Sequence, residues 1–599
     1  MHNLAGVRIR NFRACADVAI HLAPFTPLVG QNNCGKSTII AAIGWLLRPS
    51  VLDTSHFGNA GSSLSVTGEI SGLTADHLEL LTEEHRDRIA PFCADGTLTI
   101  RRTQASPGGG AKNLVLEVLD PSIPENEPGA WRKNPTGIDG AIQALFPEPI
   151  HIEAMEDAAA DVTSGKKDST IGKLIASLIE NLQKTHGAHL TEALDGIQRK
   201  LSATGEQRAA ELNAVDEGAN ANLSDLFPGL RVRVHFQPPS IADLFKTGTI
   251  KVYEGQAQSE RDVDDLGHGA QRAIHMALVR YLATASRNAD RVTCTLLLID
   301  EPELYLHPHA VEQIRVALTN LSASGFQVVF STHSPMLIGI DNIESTIMVH
   351  RPAGGTTAVR SRIADAWTEA VDEAPSQIRH LFEFGNASKI LFASRVVVAE
   401  GETEQRLLPL VYETLRKQSL MANGIGLVAT GGSGGVKKCM ALLRALGLPC
   451  SAIVDLDYAF RQAVKSGLIP PDDPDVSAAR LLMDELKDVC GFQLDADGFP
   501  KRSGQMSSSE AFAVFAKEPR ARTLISAIAT RLRIAGYWLW ERGTIEEHLG
   551  IIGKGEDAWA SYAAKLREAP FDDVVQDFAG VNNMITWMEG KEAVLEHTD

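Results

Sequence analysis

The chain has 599 residues, 44% of them hydrophobic and 22% charged, with a formal net charge of −18 at pH 7. This length predicts three or four soluble globular domains, and no apolar run reaches the roughly 18–20 residues that a membrane span needs. Seven single cysteines without a C-x-x-C pair exclude a disulfide scaffold and a cysteine zinc site, so we expect a cytoplasmic protein with no membrane partner. The acidic balance argues against nucleic acid as a partner, because phosphate binding depends on Lys and Arg.

The N-terminal segment predicts strands, then a glycine-rich turn, then a helix. Residues 7–10 and 17–20 alternate apolar and polar side chains, as half-buried strands do. The run Gly30-Gln31-Asn32-Asn33-Cys34-Gly35-Lys36-Ser37 matches G-x-x-x-x-G-K-[ST] and precedes a predicted helix over 37–47. Glycines let backbone N–H groups face phosphates, Lys36 reaches the β/γ oxygens, and Ser37 ligates Mg²⁺. We expect ATP with Mg²⁺ to bind residues Gly30, Asn32, Asn33, Gly35, Lys36, Ser37 and Thr38.

The middle of the chain combines helical and strand patterns. Residues 173–226 are rich in Ala, Leu, Glu and Gln, which predicts two or three helices and a possible dimerisation element. A strand pattern returns at 230–234.

Three further motifs follow in an informative order. A glycine-rich turn with Gly267 and Gly269 opens a helix, and the buried-strand run 295–299 ends in Asp300 and Glu301. Asp300 would hold Mg²⁺ indirectly, and Glu301 would polarise the attacking water. The next strand ends at His333, where a γ-phosphate sensor would lie.

The order of these motifs resembles ATP-binding-cassette ATPases, particularly the RecF/SMC-like branch. That resemblance implies a head-to-head homodimer, in which the glycine-rich turn of one subunit completes the nucleotide site of the other; a higher homo-oligomer stays open. The turn reads LGHGAQ rather than LSGGQ, so the serine that would bond the γ-phosphate is missing.

A second group of motifs is acidic. The run Val396-Val397-Val398 leads into Glu400 and Glu404, and the run 452–454 leads into Asp455 and Asp457. Period-two alternation predicts that Asp455 and Asp457 point to the same side of their strand. Four carboxylates at the carboxyl ends of parallel strands form a hard-cation site. Two Mg²⁺ or Mn²⁺ ions about 4 Å apart can promote phosphodiester cleavage.

The acidic motifs resemble the Toprim fold. An N-terminal ATPase followed by a Toprim domain resembles the OLD (overcoming lysogenization defect) family over nearly the whole chain. The resemblance implies a metal-dependent DNA nuclease in bacterial defence against phage or in DNA repair. It also indicates the class that works beside a separately encoded helicase, as in Gabija systems.

The same resemblance assigns site roles. Glu400, Glu404, Asp455 and Asp457 become metal ligands or a general base. Glu546 would complete a second metal site, or else be an ordinary helix N-terminal carboxylate. Lys554 would stabilise charge on the scissile phosphate, or else be an exposed loop lysine.

We therefore expect an α/β protein: an ABC/SMC-like P-loop ATPase with a helical insertion, followed by a Toprim α/β domain with helical additions. The expected boundaries are residues 1–172 and 229–385 for the two parts of the ATPase, 173–228 for the insertion and 386–599 for the Toprim domain.

A DNA surface is expected between Lys517 and Arg542, a stretch with six basic residues that also contains the aromatic residues Tyr537, Trp538 and Trp540. Basic residues could follow a phosphate backbone and the aromatic rings could stack on unpaired bases. The alternative is a solvated basic helix face with the tryptophans in the core. Ser507, Ser508, Ser509 and Glu510 could approach the acidic site, or form a linker.

Two classes of function remain open. One is an ATP-regulated, metal-dependent endonuclease. The other is a RecF-like, DNA-binding repair mediator with an inert Toprim-like domain. Four clustered acids favour the endonuclease, while the sign of the coupling between ATP and cleavage stays open.

Overall fold

The computed structural model describes residues 2–79, 81–146, 149–152, 185–186, 189–227, 229–237, 250–253, 260–285, 294–352, 354–370, 386–501 and 506–591. The chain divides into two compact units, one of residues 1–3, 71–97 and 135–328, and one of residues 4–70, 98–134 and 329–599. Among the described helices, none is long and apolar enough to cross a membrane.

The first unit combines helices with short strands. The strand Thr295–Asp300 runs parallel to Ile150–Ile152, and Leu296 to Ile299 are fully buried, as the sequence predicts. Lys251–Tyr253 and Glu260–Asp262 form an antiparallel pair. The helices of this unit are Ala75–Glu79, Glu83–Ile89, Ile138–Leu145, 189–201, Ala210–Leu226, His268–Ala285 and Pro308–Ala323.

The predicted insertion is helical where the structure describes it, over 189–201 and Ala210–Leu226; residues 173–184 lie outside the described part. The strand predicted at 230–234 is wrong. Instead of a neighbouring strand, Asn220 of the preceding helix bonds both N–H and C=O of Val232. Asp216 accepts the N–H of Val234. These side chains satisfy the backbone groups that a sheet would otherwise pair.

The second unit begins with an antiparallel sheet. Along its first strand Val7 and Ile9 are buried while Arg8 and Arg10 are exposed, which confirms the predicted alternation. The six strands lie in the order Cys15–His21, Asn3–Phe12, Leu64–Ser71, Leu98–Gln104, Leu114–Leu119 and Trp131–Lys133.

The phosphate-binding motif follows a fully buried strand of the same unit. This strand, Phe25–Val29, runs parallel to Ile347–His350, which pairs with the short strand Ala358–Val359. The helix Lys36–Leu47 begins directly after the glycine-rich turn, so the predicted strand, turn and helix are confirmed. The strand Phe326–Thr332, which ends just before His333, is buried along its whole length.

The C-terminal part of the second unit is built on a parallel sheet, here called the C-terminal sheet. Its strands lie in the order Ile425–Ala429, Arg395–Ala399, Cys450–Val454 and Tyr537–Leu539. Val396 and Val398 belong to one hydrophobic core, and Val397 and Ala399 to a second. Both faces are therefore buried, which explains why the strands are apolar runs.

Helices cover both faces of the C-terminal sheet, and the predicted α/β class is confirmed. Two small strands, Gln493–Leu494 and Pro500–Lys501, pair separately. The helices of this part are Ile363–Ala370, Asn386–Leu391, Glu402–Arg416, Ser433–Ala445, Leu456–Phe460, Gln462–Lys465, Pro474–Cys490, Ser508–Ala516, Pro519–Ile534, Ile545–Leu549, Glu556–Glu568, Phe571–Val574 and Phe578–Met588.

Candidate functional site

The segment Gly30–Ser37, here called the phosphate loop, needs its glycines for close backbone approach. A Cβ on Gly30 would lie 2.0 Å from the Val349 carbonyl oxygen, and one on Gly35 would lie 2.2 Å from Thr357 Oγ1. Both glycines also have positive φ, 153° and 109°, which disfavours any residue with a side chain. Asn32, Asn33 and Ser37 are exposed and Thr38 is half-buried at the N-terminus of the following helix.

Lys36 is buried and folded back on this loop. Its ammonium donates to the carbonyls of Gly30 and Gln31, at 3.0 and 3.1 Å, and lies 2.9 Å from His333 Nε2. The predicted lysine and the predicted sensor histidine are therefore neighbours. The loop holds Lys36 where a bound phosphate would compete for its hydrogen bonds.

The remaining predicted nucleotide residues lie in the first unit. Asp300 ends its strand, and Glu301 has the left-handed φ of 47°. Arg272 donates to the Asp300 carbonyl at 3.2 Å, which connects the helix after the glycine-rich turn to this strand end. Gly267 precedes that helix. Gly269 packs against the backbone of Tyr305, and a Cβ on Gly269 would lie 2.8 Å from the Tyr305 carbonyl oxygen.

The acidic residues gather at the carboxyl edge of the C-terminal sheet. Because its strands are parallel, their carboxyl ends meet at one edge, and each is followed by a loop or helix that carries an acid. Glu400 follows one strand and Asp455 the next, and Glu404, Asp457 and Glu546 lie in the first turns of three helices. We call these five residues the acidic cluster: Glu400, Glu404, Asp455, Asp457 and Glu546.

The route by which Asp457 joins the cluster differs from the prediction. The strand ends at Val454, Asp455 is the N-cap of the helix Leu456–Phe460, and Asp457 lies inside that helix. Strand alternation is therefore the wrong reason for the proximity of the two aspartates. The first turn of the helix, and not the strand, places Asp457 near Glu400. The Asp455 N–H donates to Glu400 Oε2 at 3.3 Å, which ties the two strand ends together.

Two uncharged side chains orient the glutamates. The Thr403 hydroxyl donates to Glu546 Oε1 at 2.7 Å, and the Trp540 indole donates to Glu404 Oε1 at 3.2 Å. All four residues are buried. No sequence motif predicted Thr403 or Trp540 as carboxylate partners, and the one available signal was that Thr403 directly precedes Glu404.

Burial raises the pKa of four cluster members, and like charge raises it further for Glu400, Glu404 and Asp455. The pKa of Glu400 rises to about 7, through burial and the charges of Asp457 and Glu404. The pKa of Glu404 also rises to about 7, through burial and the charge of Glu546. Burial raises the pKa of Asp455 well above its ordinary value, and raises that of Asp457 as well. The ionised cluster therefore needs a compensating positive charge.

Part of that charge comes from Lys554, whose Nζ lies 3.7 Å from Glu546 Oε2. Lys554 and three cluster members, Glu404, Asp455 and Glu546, border a pocket of about 390 Å³. Within the described ranges, no three His, Cys, Asp or Glu side chains already close around a point as metal ligands do.

The oxygen atoms of the cluster nevertheless fit a hard cation. Asp455 Oδ1 and Glu546 Oε2 are buried without a hydrogen-bond partner, and only the second has a cation nearby among the described residues, the Lys554 ammonium at 3.7 Å. Buried carboxylate oxygens without donors are costly unless a cation binds them. An all-oxygen donor set is the one that Mg²⁺ and Mn²⁺ prefer.

The predicted base-stacking surface is wrong. Tyr537, Trp538 and Trp540 are 1%, 5% and 0% exposed, so their rings belong to the core, as the alternative held. Five of the six basic residues between 517 and 542 pair with carboxylates, namely Lys517, Arg520, Arg531, Arg533 and Arg542. Those carboxylates cancel much of the positive potential that a phosphate backbone would follow.

The serine-rich segment before this stretch has a structural role. Ser507 caps the helix Ser508–Ala516: its hydroxyl accepts the N–H of Glu510, and the Glu510 carboxylate accepts the N–H of Ser507. The two bonds form a capping box. Ser508 Oγ donates to the Pro500 carbonyl.

A histidine that sequence reasoning missed fixes the helix of Glu546. His548 Nδ1 lies 2.6 Å from Asp577 Oδ2, and His548 Nε2 accepts the N–H of Arg542 at 3.1 Å. These bonds join the loop before the helix Ile545–Leu549 to Asp577, the N-cap of the helix Phe578–Met588.

Two family descriptions match the chain in the order that the motifs predict. The AAA ATPase domain matches residues 3–88 and 142–338. The TOPRIM domain of overcoming lysogenization defect-like proteins matches residues 391–457, a range that contains Glu400, Glu404, Asp455 and Asp457 but not Glu546 or Lys554.

Two relatives are similar over most of their length. The Old nuclease of Escherichia phage P2 is 35% identical over 610 residues, covering 98% of this chain and 99% of the relative. The OLD nuclease of Thermus scotoductus is 22% identical over 470 residues, covering 76% of this chain and 82% of that relative.

Solved structures with weaker similarity include SMC heads. An Smc head bound to the C-winged helix domain of ScpA covers 59% of this chain and 96% of its own, at 16% identity and a TM-score of 0.35. The SMC head domain from Thermotoga maritima covers 60% and 98%, at 14% identity and a TM-score of 0.25.

The raised pKa values predict how pH affects stability without metal. A glutamate whose folded-state pKa is about 7, against about 4.3 unfolded, stabilises the fold below pH 4.3 and loses that contribution as pH rises through 7. In EDTA, the unfolding temperature of the wild type should therefore fall as the pH rises from 5.5 to 8. The unfolding temperature of Glu404→Gln should fall over the same range by an amount smaller by about 2 °C or more. Thermal unfolding followed by circular dichroism measures both.

Glu413→Gln is the matched control, because Glu413 is exposed on the same helix. It should behave as wild type. An identical fall in Glu404→Gln and wild type would show that repulsion in the cluster does not limit stability.

Proposed function

Because the chain belongs to the OLD nuclease family, with an AAA-type ATPase domain and a Toprim domain, we propose that it is an ATP-binding, metal-dependent DNA endonuclease whose active site is the acidic cluster. The observation that carries the proposal is the set of buried and half-buried carboxylates, with raised pKa values and two oxygens without hydrogen-bond donors. An inert domain has no need for so costly an arrangement. The RecF-like mediator is therefore the weaker reading.

The residues proposed to hold Mg²⁺ or Mn²⁺ are Glu400, Glu404, Asp455 and Asp457, with Glu546 completing a second site. Such ions, when bound, lower the pKa of water and neutralise charge on the phosphate and the leaving oxygen. The structure supports this proposal through the shared sheet edge and the unsatisfied oxygens of Asp455 and Glu546.

The chain's own groups prepare the site. Thr403 and Trp540 each bond one oxygen of a glutamate and so fix the direction of the other oxygen. Lys554 borders the pocket and is 57% exposed, so its ammonium can reach a phosphate and offset charge that develops there. A loop with positive φ at Gly553 and Gly555 carries it, with open space around both glycines.

Nucleotide binding is proposed for the phosphate loop with Mg²⁺ on Ser37. Lys36 and His333, already 2.9 Å apart, would contact the terminal phosphates. In the same proposal Asp300 and Glu301 act on the metal and the water, and Gly267 and Gly269 serve the site of a second subunit in a homodimer. The boundaries at 172, 228 and 385, a helicase partner and a role in phage defence stay predictions from the family resemblance.

Plasmid cleavage tests the nuclease proposal. Glu400→Gln and Asp455→Asn each remove a negative charge from the cluster and should lower the Mn²⁺- or Mg²⁺-dependent nicking rate by about 100-fold or more, since ligand loss exceeds the usual second-shell effect. Gel assays of supercoiled plasmid, with and without ATP, measure the rate.

Glu413→Gln should cut as wild type. Equal cutting by wild type and both cluster variants would refute the assigned site. Absence of cutting in every metal and nucleotide state would refute the nuclease proposal itself.

Thr403→Val tests the orientation of Glu546. Valine keeps the branched shape but removes the donor to Glu546 Oε1, so we expect the cleavage rate to fall about 10- to 100-fold and half-maximal activity to need more Mn²⁺. Thr403→Ser should restore most of the rate.

Thr414→Val controls for the change of residue type on the same helix, because the Thr414 hydroxyl donates to the Leu410 carbonyl of its own helix. If Thr403→Val lost activity without any change in Mn²⁺ dependence, the role of Thr403 would be folding rather than orientation of a ligand.

A further inference from the structure

His548 and Asp577 form a buried pair whose hydrogen bonds fix the histidine ring. The Arg542 backbone N–H donates to His548 Nε2 at 3.1 Å, and His548 Nδ1 lies 2.6 Å from Asp577 Oδ2. Because Nε2 accepts a bond, the ring is neutral, and the proton on Nδ1 is donated to Asp577. The other oxygen of Asp577 lies 3.1 Å from the Arg542 guanidinium and accepts the Gly580 N–H. The ring is therefore held in one orientation and one tautomer.

The first connection from His548 runs to Glu546, two residues earlier on the same helix. The helix Ile545–Leu549 has only five residues, and its N-cap Thr544 makes no side-chain capping bond. A helix this short is not stable alone, so its orientation depends on bonds to its surroundings. His548 supplies two of them, because its ring bonds Asp577 and its carbonyl accepts the Asp577 N–H at 2.9 Å.

The second connection runs to Glu404 through Trp540. The ring centroids of His548 and Trp540 are 4.7 Å apart, so the two buried rings pack against each other. The Trp540 indole donates to Glu404 Oε1 at 3.2 Å. Since a packed interior transmits displacements, a change in the His548 ring would shift the donor that orients Glu404.

The third connection runs to Asp455 through the backbone. Gly543 directly follows Arg542, whose N–H donates to His548 Nε2. The Gly543 carbonyl accepts the N–H of Leu456 at 2.8 Å, and Leu456 directly follows Asp455. The histidine thus holds the loop that bonds the chain beside Asp455.

The three acids reached by these connections share a position. Glu404, Asp455 and Glu546 are the members of the acidic cluster that border the pocket of about 390 Å³. His548 is not among the residues that line this pocket. It therefore acts on the pocket through the residues that it holds.

We propose that His548, fixed by Asp577, is a positioning residue for divalent-metal binding by the acids that border the pocket. The inference rests on the proposed metal-dependent nuclease and adds a residue outside its metal ligands. Acids of like charge repel one another, so their oxygens converge on a cation only where the surrounding structure holds them. Replacing such an orienting residue costs about 10- to 100-fold in metal affinity or activity.

Titration of Mn²⁺ followed by electron paramagnetic resonance, without DNA or nucleotide, tests the proposal. His548→Phe keeps a ring but loses both nitrogens, and we expect it to bind Mn²⁺ about 10- to 100-fold more weakly than wild type. His548→Gln should recover most of the affinity, because its amide oxygen reaches the position of Nε2 and accepts the Arg542 N–H. His548→Asn should not, because its amide reaches only the position of Nδ1 and bonds only Asp577.

Two control variants separate positioning from folding. His56→Phe removes a histidine that pairs with Asp53 at 2.9 Å, and Tyr412→Phe removes a hydrogen bond on the helix that carries Glu404. Both should bind Mn²⁺ as wild type does. Thermal unfolding in EDTA measures stability, and His548→Gln and His548→Asn should unfold at similar temperatures while differing in Mn²⁺ affinity. This comparison decides the question if His548→Phe fails to fold.

Equal Mn²⁺ affinity in wild type and His548→Phe would overturn the inference and leave the nuclease proposal standing. Affinities of His548→Gln and His548→Asn that fall only in step with their unfolding temperatures would also overturn it, since that is the pattern of a folding defect. The expected order of Mn²⁺ affinities without any DNA cleavage would support the role of His548 and refute the nuclease. Absence of Mn²⁺ binding by the wild type would overturn both.

Discussion

Mutual repulsion among buried and half-buried carboxylates is the constraint on which the C-terminal part of the molecule depends. Five acids meet at one edge of a parallel sheet, where burial and like charge raise the pKa of Glu400 and Glu404 to about 7. Two parallel strand ends, three helix starts, the Thr403 hydroxyl and the Trp540 indole hold them there. Natural proteins accept such costs at functional sites rather than in structural cores.

The sheet that carries this edge is tied to the phosphate loop within one compact unit. Val29, at the end of the strand before the loop, belongs to the same hydrophobic core as Val396 and Val398 of the C-terminal sheet. Gln31 bonds Ser394, the residue before the strand Arg395–Ala399, and that strand ends next to Glu400. Ser394, which the phosphate loop contacts, and Glu400, a member of the acidic cluster, therefore lie at opposite ends of one strand.

The sequence was informative where chemistry requires a fixed residue at a fixed spacing. The phosphate loop and the acids at 400, 404 and 455 follow apolar strands, and a parallel sheet places such positions at one edge.

Hydrophobic periodicity gave the wrong secondary structure where the local structure changes within the motif, as at Asp457, where a helix begins. It failed again at 230–234, where helix side chains replace a partner strand. The rings of Tyr537 and Trp538 lie in the core because their strand is buried on both faces, and Trp540, directly after the strand, is buried as well. Thr403 was beyond prediction because its bond to Glu546 joins residues 143 positions apart.

The net charge of −18 was too coarse a guide to nucleic-acid binding, since part of the acidity lies in the cluster that a cation would neutralise.

Counting bound Mn²⁺ tests the central claim most directly. Electron paramagnetic resonance of free Mn²⁺, titrated into nucleotide-free protein at pH 8, measures how many ions each chain removes from solution. The account predicts two ions per chain in wild type and in Glu413→Gln, and loss of binding in the Glu400→Gln, Asp455→Asn double variant. Absence of Mn²⁺ binding in the wild type, or equal binding in the double variant, would contradict it.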